Sequence, residues 1–414
     1  MTMPVPQPRI MVMTTVPQTL TAFLVPQLRS LEEAGFEVHV VSSPGPALDT
    51  LGVGPDTTRH GIPLERRPDP VRDLASLWRM FQLIRRVRPQ IVHAHTPKAG
   101  LIGMAAAALA GVPVRLYTIH GLPLLTRSGI RRWMLEAAER TSASLATHCY
   151  AVSESVRSLL VELKLCPAAK VAILGDGSCA GVDVDCFFPS PGDSRVGQAV
   201  RSQYGIPAEA PLVTFVGRLA RDKGIGVLGQ AWPEVAAAVP GAYLLLVGEK
   251  DTSDPVPDEE MAALQRHPRV RFAGTVGKPQ VFGVYTATDI GVLPTFREGL
   301  PQTALEAAAA GLPMVATRVS GVVNAIEDGV TGLLVPAGQA APLASALRLL
   351  LSDVDLRRRL GAAARARVVN RFSQQRVNQL WMSEYHRLVQ ALLPDCAERP
   401  ETPPRMQAGR SDAY

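Results

Sequence analysis

Short apolar runs recur from Ile10 to Val335, and between successive runs the chain leaves room for a helix. Ile10 to Thr14, Glu37 to Ser42, Ile91 to His93, Arg115 to Ile119, Leu212 to Val216, Tyr243 to Val247, Val270 to Ala273, Ile290 to Leu293, Met314 to Thr317 and Gly332 to Val335 all read as strands. Continuous rather than alternating hydrophobicity marks a strand covered on both faces, and such strands separated by helical segments build parallel sheets. The pattern predicts an α/β chain made of Rossmann-like, doubly wound domains. At 414 residues it exceeds one ordinary core, so two domains are expected.

Helices are predicted over Leu20 to Ala34, stopped by Gly35, and around Leu74, Leu77, Trp78, Phe81 and Ile84, which fall at helical spacing. Between Pro189 and Pro211 the texture turns Pro- and Gly-rich, with one short helix from Arg195 to Tyr204. The domain junction is placed there, giving residues 1–200 to the first domain and 201–371 to the second. Phe372 to Leu393 reads as a last amphipathic helix, with Val377, Leu380, Trp381, Tyr385, Leu388 and Val389 on one face. Residues 394–414 are polar and Pro-rich and are expected to be disordered. No repeat relates the halves.

No run of about 18 apolar residues is free of charge, so no membrane-spanning helix is expected. Met1 to Arg9 is Pro-rich, leads straight into a strand and does not read as a signal peptide, which points to the cytoplasm. Five scattered cysteines without a C-x-x-C pair argue against a disulfide framework and against zinc. The formal charge of +6 suits an anionic diphosphate, a membrane surface or nucleic acid equally.

Glu298-Gly299-Leu300-Pro301-Gln302-Thr303-Ala304-Leu305-Glu306 follows the strand Ile290 to Leu293 and precedes another. Pro301 suits a first helical position, so Glu298 sits on a loop and Glu306 inside a helix stopped by Gly311. At the carboxyl edge of an open sheet a phosphate rests on the helix N-terminus while flanking carboxylates accept from hydroxyls. Either the pair serves a nucleotide or nucleotide sugar in this way, or Glu298 is a solvated loop residue and Glu306 a surface one.

Val216-Gly217-Arg218-Leu219-Ala220-Arg221-Asp222-Lys223-Gly224 leaves a strand at the same edge, where Arg218 and Lys223 can hold a diphosphate. Tyr117-Thr118-Ile119-His120-Gly121 ends a first-domain strand in a His able to meet a sugar hydroxyl or an acceptor. His93 and His95 share a strand face and could take a metal, but no third ligand is evident, which favours a structural or acceptor-side role. Arg127, Arg131, Arg132, Trp133, Met134 and Leu135 mix basic and apolar residues, as in a helix held at an anionic bilayer or a partly buried helix with a basic edge.

With these residues the chain resembles a GT-B glycosyltransferase, and more narrowly the retaining family four enzymes, over roughly residues 8 to 390. The E-x7-E signature from Glu298 to Glu306 carries most of the resemblance, followed by Gly217-Arg218-Leu219 with Lys223-Gly224. His95 to Gly100 and Tyr117 to Gly121 resemble the branch that extends lipid-linked or surface polysaccharide intermediates. The resemblance implies a cleft between two Rossmann-like domains, with the last helix, 372–393, crossing back onto the first. It implies donor contacts from Gly217, Arg218, Lys223, Glu298, Gly299, Leu300, Thr303 and Glu306, with Glu306 on the ribose and Glu298 on the transferred sugar.

The same resemblance gives catalytic parts to His120, Arg218, Lys223 and Glu298, and an acceptor side to Thr15, His95 and Lys98. It implies retention without a metal or other cofactor, with a nucleotide sugar as co-substrate, a lipid-linked or glycan acceptor, no nucleic acid, and contact with the inner face of the membrane. Two departures stand out. No glycine occupies Thr14-Thr15-Val16-Pro17-Gln18-Thr19, where relatives carry a Gly-rich turn, and Ala180 replaces Asn in Ser178-Cys179-Ala180-Gly181-Val182-Asp183. A nucleotide-sugar isomerase of the same fold and a non-catalytic nucleotide-sugar binder are the alternatives. A dehydrogenase is disfavoured because no G-x-G-x-x-G follows the first strand.

Overall fold

A computed structural model describes residues 7–65, 69–187 and 194–392. The expectations for residues 1–6, for the turn at 189–193, for Leu393, for Cys396 and for the tail 394–414 lie outside those described.

The first sheet holds β1 (Arg9–Met13), β2 (Glu37–Ser42), β3 (Thr58–Gly61), β4 (Ile91–His95), β5 (Val114–Ile119), β6 (His148–Ala151) and β7 (Val171–Ala172), in the order β3-β2-β1-β4-β5-β6-β7. The second holds β8 (Leu212–Val216), β9 (Tyr243–Val247), β10 (Val270–Gly274), β11 (Ile290–Leu293), β12 (Met314–Thr317) and β13 (Gly332–Val335), in the order β10-β9-β8-β11-β12-β13. The ladders are parallel in both. The direction of winding reverses between β1 and β4 and again between β8 and β11, and ligands of open α/β sheets bind at the strand ends beside such reversals. β3, β6 and β7 escaped the sequence because Thr58-Arg59-His60-Gly61 is polar and mostly exposed, His148-Cys149-Tyr150-Ala151 holds no aliphatic run, and β7 is two residues long.

Several boundaries differ from expectation for local reasons. The first helix begins at Pro17, directly after β1, and runs as Pro17–Thr19, a π-helical turn Leu20–Leu24, and Val25–Glu33. Pro26 has no N–H to donate and its ring crowds the turn before it; the helix accommodates it next to one wide turn, closed by Val25 N–H to the Leu20 carbonyl. Pro301 is the N-cap, with ψ of 108°, rather than the first helical residue, and the helix is Gln302–Ala309. The helix predicted at Arg195–Tyr204 is Ser194–Gln203, and it packs on Lys278–Ala287, which puts residues 194–200 with the second sheet instead of the first.

The last helix starts later than expected. Val354–Phe372 and Gln374–Gln390 are separate helices broken at Ser373. Val182 N–H donates to the Phe372 carbonyl and Gln374 N–H to the Val182 carbonyl, each at 2.8 Å, so Ser373 must be extended to pair with Val182. The two passages of chain between the domains are thus bonded to each other. Gly181, at φ +65°, makes this possible, because a Cβ there would stand 2.7 Å from Gln374 Cα. Val377, Trp381, Tyr385 and Leu388 of the last helix are buried in the core that contains Ile10 and Val12 of β1.

Cys149, Cys166, Cys179 and Cys186 are free thiols. No helix among the described residues is long and apolar enough to cross a membrane.

Candidate active site

A cavity of about 300 Å³ opens between the carboxyl edges of the two sheets. Phe23, His120, Val152, Ser178 and Cys179 line it from the first domain, and Gly217, Arg218, Lys223, Glu298, Gly299, Leu300 and Thr303 from the second. The domains touch at its floor. A Cβ on Gly299 would lie 1.8 Å from the His120 carbonyl oxygen, so the residue after Glu298 has to be glycine for the faces to meet. Ser153 Oγ donates to the Gly299 carbonyl at 2.6 Å, and Gly321 N–H donates to Ser155 Oγ at 2.7 Å.

The loop after β11 is tied to the short turn Arg221–Lys223. Phe296 N–H donates to the Asp222 carbonyl at 2.9 Å, and Arg297 donates to Asp222 Oδ2 at 2.6 Å and to Thr126 of the first domain at 3.0 Å. This brace sets Lys223 Nζ 2.5 Å from Glu298 Oε1, both side chains less than one-fifth exposed. Arg218 is likewise ion-paired with Asp251, whose side chain is only 8% exposed. Each cation aimed at the cavity is thus balanced by a carboxylate that an incoming anion can replace. The Gln302–Ala309 helix begins in the cavity wall, and its first-turn N–H groups lack intrahelical acceptors.

Glu306 lies one turn further along that helix, outside the cavity lining. The hydroxyl of Tyr285, a buried residue of Lys278–Ala287, lies 3.3 Å from Glu306 Oε2 and 3.2 Å from the Thr303 carbonyl oxygen. Burial and the neighbouring Glu306 carboxylate hold the Tyr285 phenol well above its usual range, so it remains a proton donor. Asp251 and Tyr285 had no motif to mark them.

Three histidines meet behind the cavity. His93 and His95 of β4 lie against each other with ring centroids 4.0 Å apart and planes tilted by 34°. His93 spends Nδ1 on Tyr385 at 2.6 Å and Nε2 on Thr118 at 2.7 Å, which leaves no nitrogen for a metal. Among the described residues no group of three or more His, Cys, Asp or Glu is placed to hold one. His95 Nδ1 lies 2.9 Å from His120 Nε2, and His120 Nδ1 lies 3.5 Å from Cys179 Sγ. His95 Nε2 has no partner. A buried N–H is rarely left orphaned, so the proton of His95 belongs on Nδ1, donated to His120, whose own proton then faces Cys179. Burial lowers His120 to about 4, and burial with the His120 charge lowers His93 to about 3, so both are neutral near pH 7.

The three residues assigned to the acceptor side do not reach the cavity. Thr15 is buried, 2.7 Å from the Thr96 hydroxyl, and accepts from Ala99 N–H at 3.2 Å. His95 is fully buried behind His120. Lys98 donates to both oxygens of Asp73, at 2.6 and 2.8 Å, and so clamps two helices together. The loops after β1, β2 and β4 are sewn by hydroxyls, with Thr14 on Ser42 and Ser43 on the Thr15 carbonyl, in place of a Gly-rich turn. Where Ala180 replaces Asn, Ser178 Oγ accepts from Gly181 N–H at 2.9 Å and Gln302 donates to the Gly181 carbonyl at 2.8 Å. Beside His120, the first domain's cavity wall is instead Phe23, Val152, Ser178 and Cys179, and Phe23 is carried there by the π-helical turn. Pro26 inside an otherwise helical run was the signal for it.

A family model described as glycosyl transferase 4-like domain matches residues 21–177, and one described as glycosyl transferases group 1 matches residues 210–353. The chain is 31% identical over 349 residues to the capsular polysaccharide biosynthesis glycosyltransferase CapM of Staphylococcus aureus, covering 84% of this chain and 89% of that protein. It is 30% identical to D-inositol 3-phosphate glycosyltransferase of Arthrobacter sp., covering 84% and 81%. Among solved structures, sucrose-phosphate synthase from Thermosynechococcus elongatus superposes with a TM-score of 0.78 at 23% identity, over 93% of this chain and 100% of that one. HepE of Anabaena in complex with UDP superposes with a TM-score of 0.73 at 19% identity, over 92% and 100%. With two parallel-sheet α/β domains facing a cleft in the GT-B arrangement, the chain belongs to the group 1 glycosyltransferases.

Proposed function

We propose that this glycosyltransferase moves a hexose or N-acetylhexosamine from a UDP-sugar, or another nucleotide sugar, to a lipid-linked or polysaccharide acceptor, with retention and without a metal. The observation that carries the reading is the Lys223–Glu298 pair, set in one cavity with Arg218, His120 and the open N-terminus of Gln302–Ala309. A diphosphate displaces Glu298 from Lys223 and Asp251 from Arg218, and both freed cations then face it. Glu298, released, accepts from hydroxyls of the transferred sugar. Glu306, oriented by Tyr285, accepts from the ribose, and the backbone at Gly217, Gly299, Leu300 and Thr303 seats sugar and phosphate.

As the bond from the anomeric carbon to the phosphate oxygen breaks, negative charge grows on the diphosphate. Lys223, Arg218 and the helix N-terminus stabilise it there. The acceptor oxygen bonds to the anomeric carbon on the face the phosphate leaves, and its proton passes to a departing phosphate oxygen. Neither carboxylate acts as a nucleophile, unlike the pair in a retaining glycosidase. Neutral His120 lines the cavity beside the reacting carbon, and its Nδ1–H turns to a sugar hydroxyl by giving up the long 3.5 Å contact to Cys179 Sγ.

Two relatives support the acceptor class by their names: CapM, and a UDP-Gal:alpha-D-GlcNAc-diphosphoundecaprenol alpha-1,3-galactosyltransferase of Escherichia coli at 24% identity. On this reading the enzyme works in the cytoplasm, at the inner face of the membrane that carries its acceptor. Incubation with UDP-glucose, UDP-galactose and UDP-N-acetylhexosamines, a membrane extract and EDTA is expected to carry sugar label into lipid. Loss of transfer on adding EDTA would overturn the metal-free step.

A further inference from the structure

The Pro70–Val87, Pro97–Leu109 and Gly129–Leu145 helices pack side by side over one face of the first sheet, the middle one touching both neighbours. Their inward sides supply Met80, Ile84, Ile102 and Ala143 to the core. Their outward sides are not polar. Val71, Leu74 and Trp78 stand exposed on the first helix and Leu109 at the end of the second, and Leu74, Trp78 and Leu109 share an open groove of about 360 Å³. Ile130, Trp133 and Met134 stand exposed on the third. Seven of the fourteen large hydrophobic side chains exposed among the described residues are therefore on these three helices, including both tryptophans, at 58% and 62% exposure. Scattered apolar residues need no explanation, but a cluster of this size marks a contact surface.

The charge of the protein is in the same place. From Pro70 to Leu145 the chain has eleven Lys and Arg against three Asp and Glu, a formal +8, whereas the whole chain carries +6. The three acids are taken: Asp73 by Lys98, Glu136 by Arg132 and Arg140, and Glu139 is buried. Arg79, Arg85, Arg86 and Arg131 are exposed and stand in no ion pair among the described residues.

We propose that this three-helix face is a docking surface for an anionic lipid bilayer, and that it delivers lipid-borne acceptors to the cleft; the second part rests on the transfer reading above. Exposed Trp and aliphatic side chains among unpaired Arg match the apolar boundary and anionic headgroups of such a surface. A second copy of this chain does not fit, because a two-fold contact through this face would set arginines against arginines. The face also runs up to the active site. His120 and Ile130 are joined by one short segment, and Arg127 within it lies 3.6 Å from Asp254 of the second domain. An acceptor anchored in the bilayer under Ile130 and Trp133 thus enters the cleft from the docked side.

The test is co-sedimentation of the full chain with phosphatidylglycerol-containing vesicles and with pure phosphatidylcholine vesicles, at low and high salt. Binding to the anionic vesicles alone, weakened by salt, is expected. Each arginine near such a surface is worth about fivefold in partitioning, so Arg85→Glu with Arg131→Glu should lower it more than about twentyfold. Trp78→Ser with Trp133→Ser should also release the protein, while both variants keep the wild-type melting temperature and UDP affinity. Failure to bind UDP with vesicle binding intact would count against the transfer reading and leave the docking surface standing. No sedimentation with anionic vesicles, equal binding to neutral ones, or a dimer in solution broken by the same substitutions overturns the proposal.

Discussion

Replacing Lys223 by alanine separates holding the donor from helping it react. Lys223 Nζ is 2.5 Å from Glu298 Oε1, with 19% and 13% of the two side chains exposed, so the substitution removes a cation and strands a carboxylate in one step. Loss of one preorganised group aimed at developing charge costs about 3 kcal/mol, or about two orders of magnitude in kcat. Ground-state donor binding suffers less, because Arg218 and the helix N-terminus still hold the diphosphate. Glu298, unpaired, then repels it by about 1 kcal/mol, close to a fivefold loss of affinity. The double variant Lys223→Ala with Glu298→Gln removes the repulsion without returning the cation. Initial rates with donor saturation, alongside calorimetric titration with UDP, are expected to show affinity recovered and turnover still low. Equal losses of kcat and donor affinity in the single variant would refute the argument, as would recovery of turnover in the double one.

Glu306→Ala should weaken UDP binding about tenfold, and Tyr285→Phe by a smaller factor in the same direction, since it frees the carboxylate without removing it; unchanged titrations would remove Glu306 from the ribose. Phe23→Ala is expected to raise the acceptor KM with UDP affinity unchanged, and a matching loss of UDP affinity would place Phe23 on the donor side instead. His93, held near 3 by burial against 6.5 in the unfolded chain, stabilises the fold fully above pH 6.5 and loses that contribution as pH falls from 6.5 towards 3, about 5 kcal/mol in all. Melting temperatures followed from pH 7.5 to 4 should drop more steeply for the wild type than for His93→Asn, and parallel curves would contradict the assignment.

The sequence showed most of the second domain because its four central strands, β8, β9, β11 and β12, are buried on both faces and so read as nearly unbroken apolar runs. Its site was legible for a related reason. Glu298, Gly299, Lys223 and Arg218 lie on short loops at strand ends, where position along the chain nearly determines position in space. The first domain's share was harder to read. Thr15, His95 and Lys98 are at the right ends of the right strands, but their partners, Thr96, His120 and Asp73, are up to 81 residues away, and those partners turn them inward. Phe23 reaches the cavity only through a π-helical turn that hydrophobic spacing does not reveal. Leu74 and Trp78 have helical spacing, yet they face outward, because periodicity gives a stripe without saying what covers it.

The central claim is that the cleft binds a nucleotide sugar for transfer and not for rearrangement or storage. The most direct measurement supplies UDP-sugars labelled separately in sugar and in nucleotide, together with a membrane extract, and follows both labels. Transfer predicts sugar label in the lipid fraction and nucleotide label left as UDP, with both signals lost in Glu298→Ala. Sugar label that stays on the nucleotide, as an isomer or unchanged, would contradict the account.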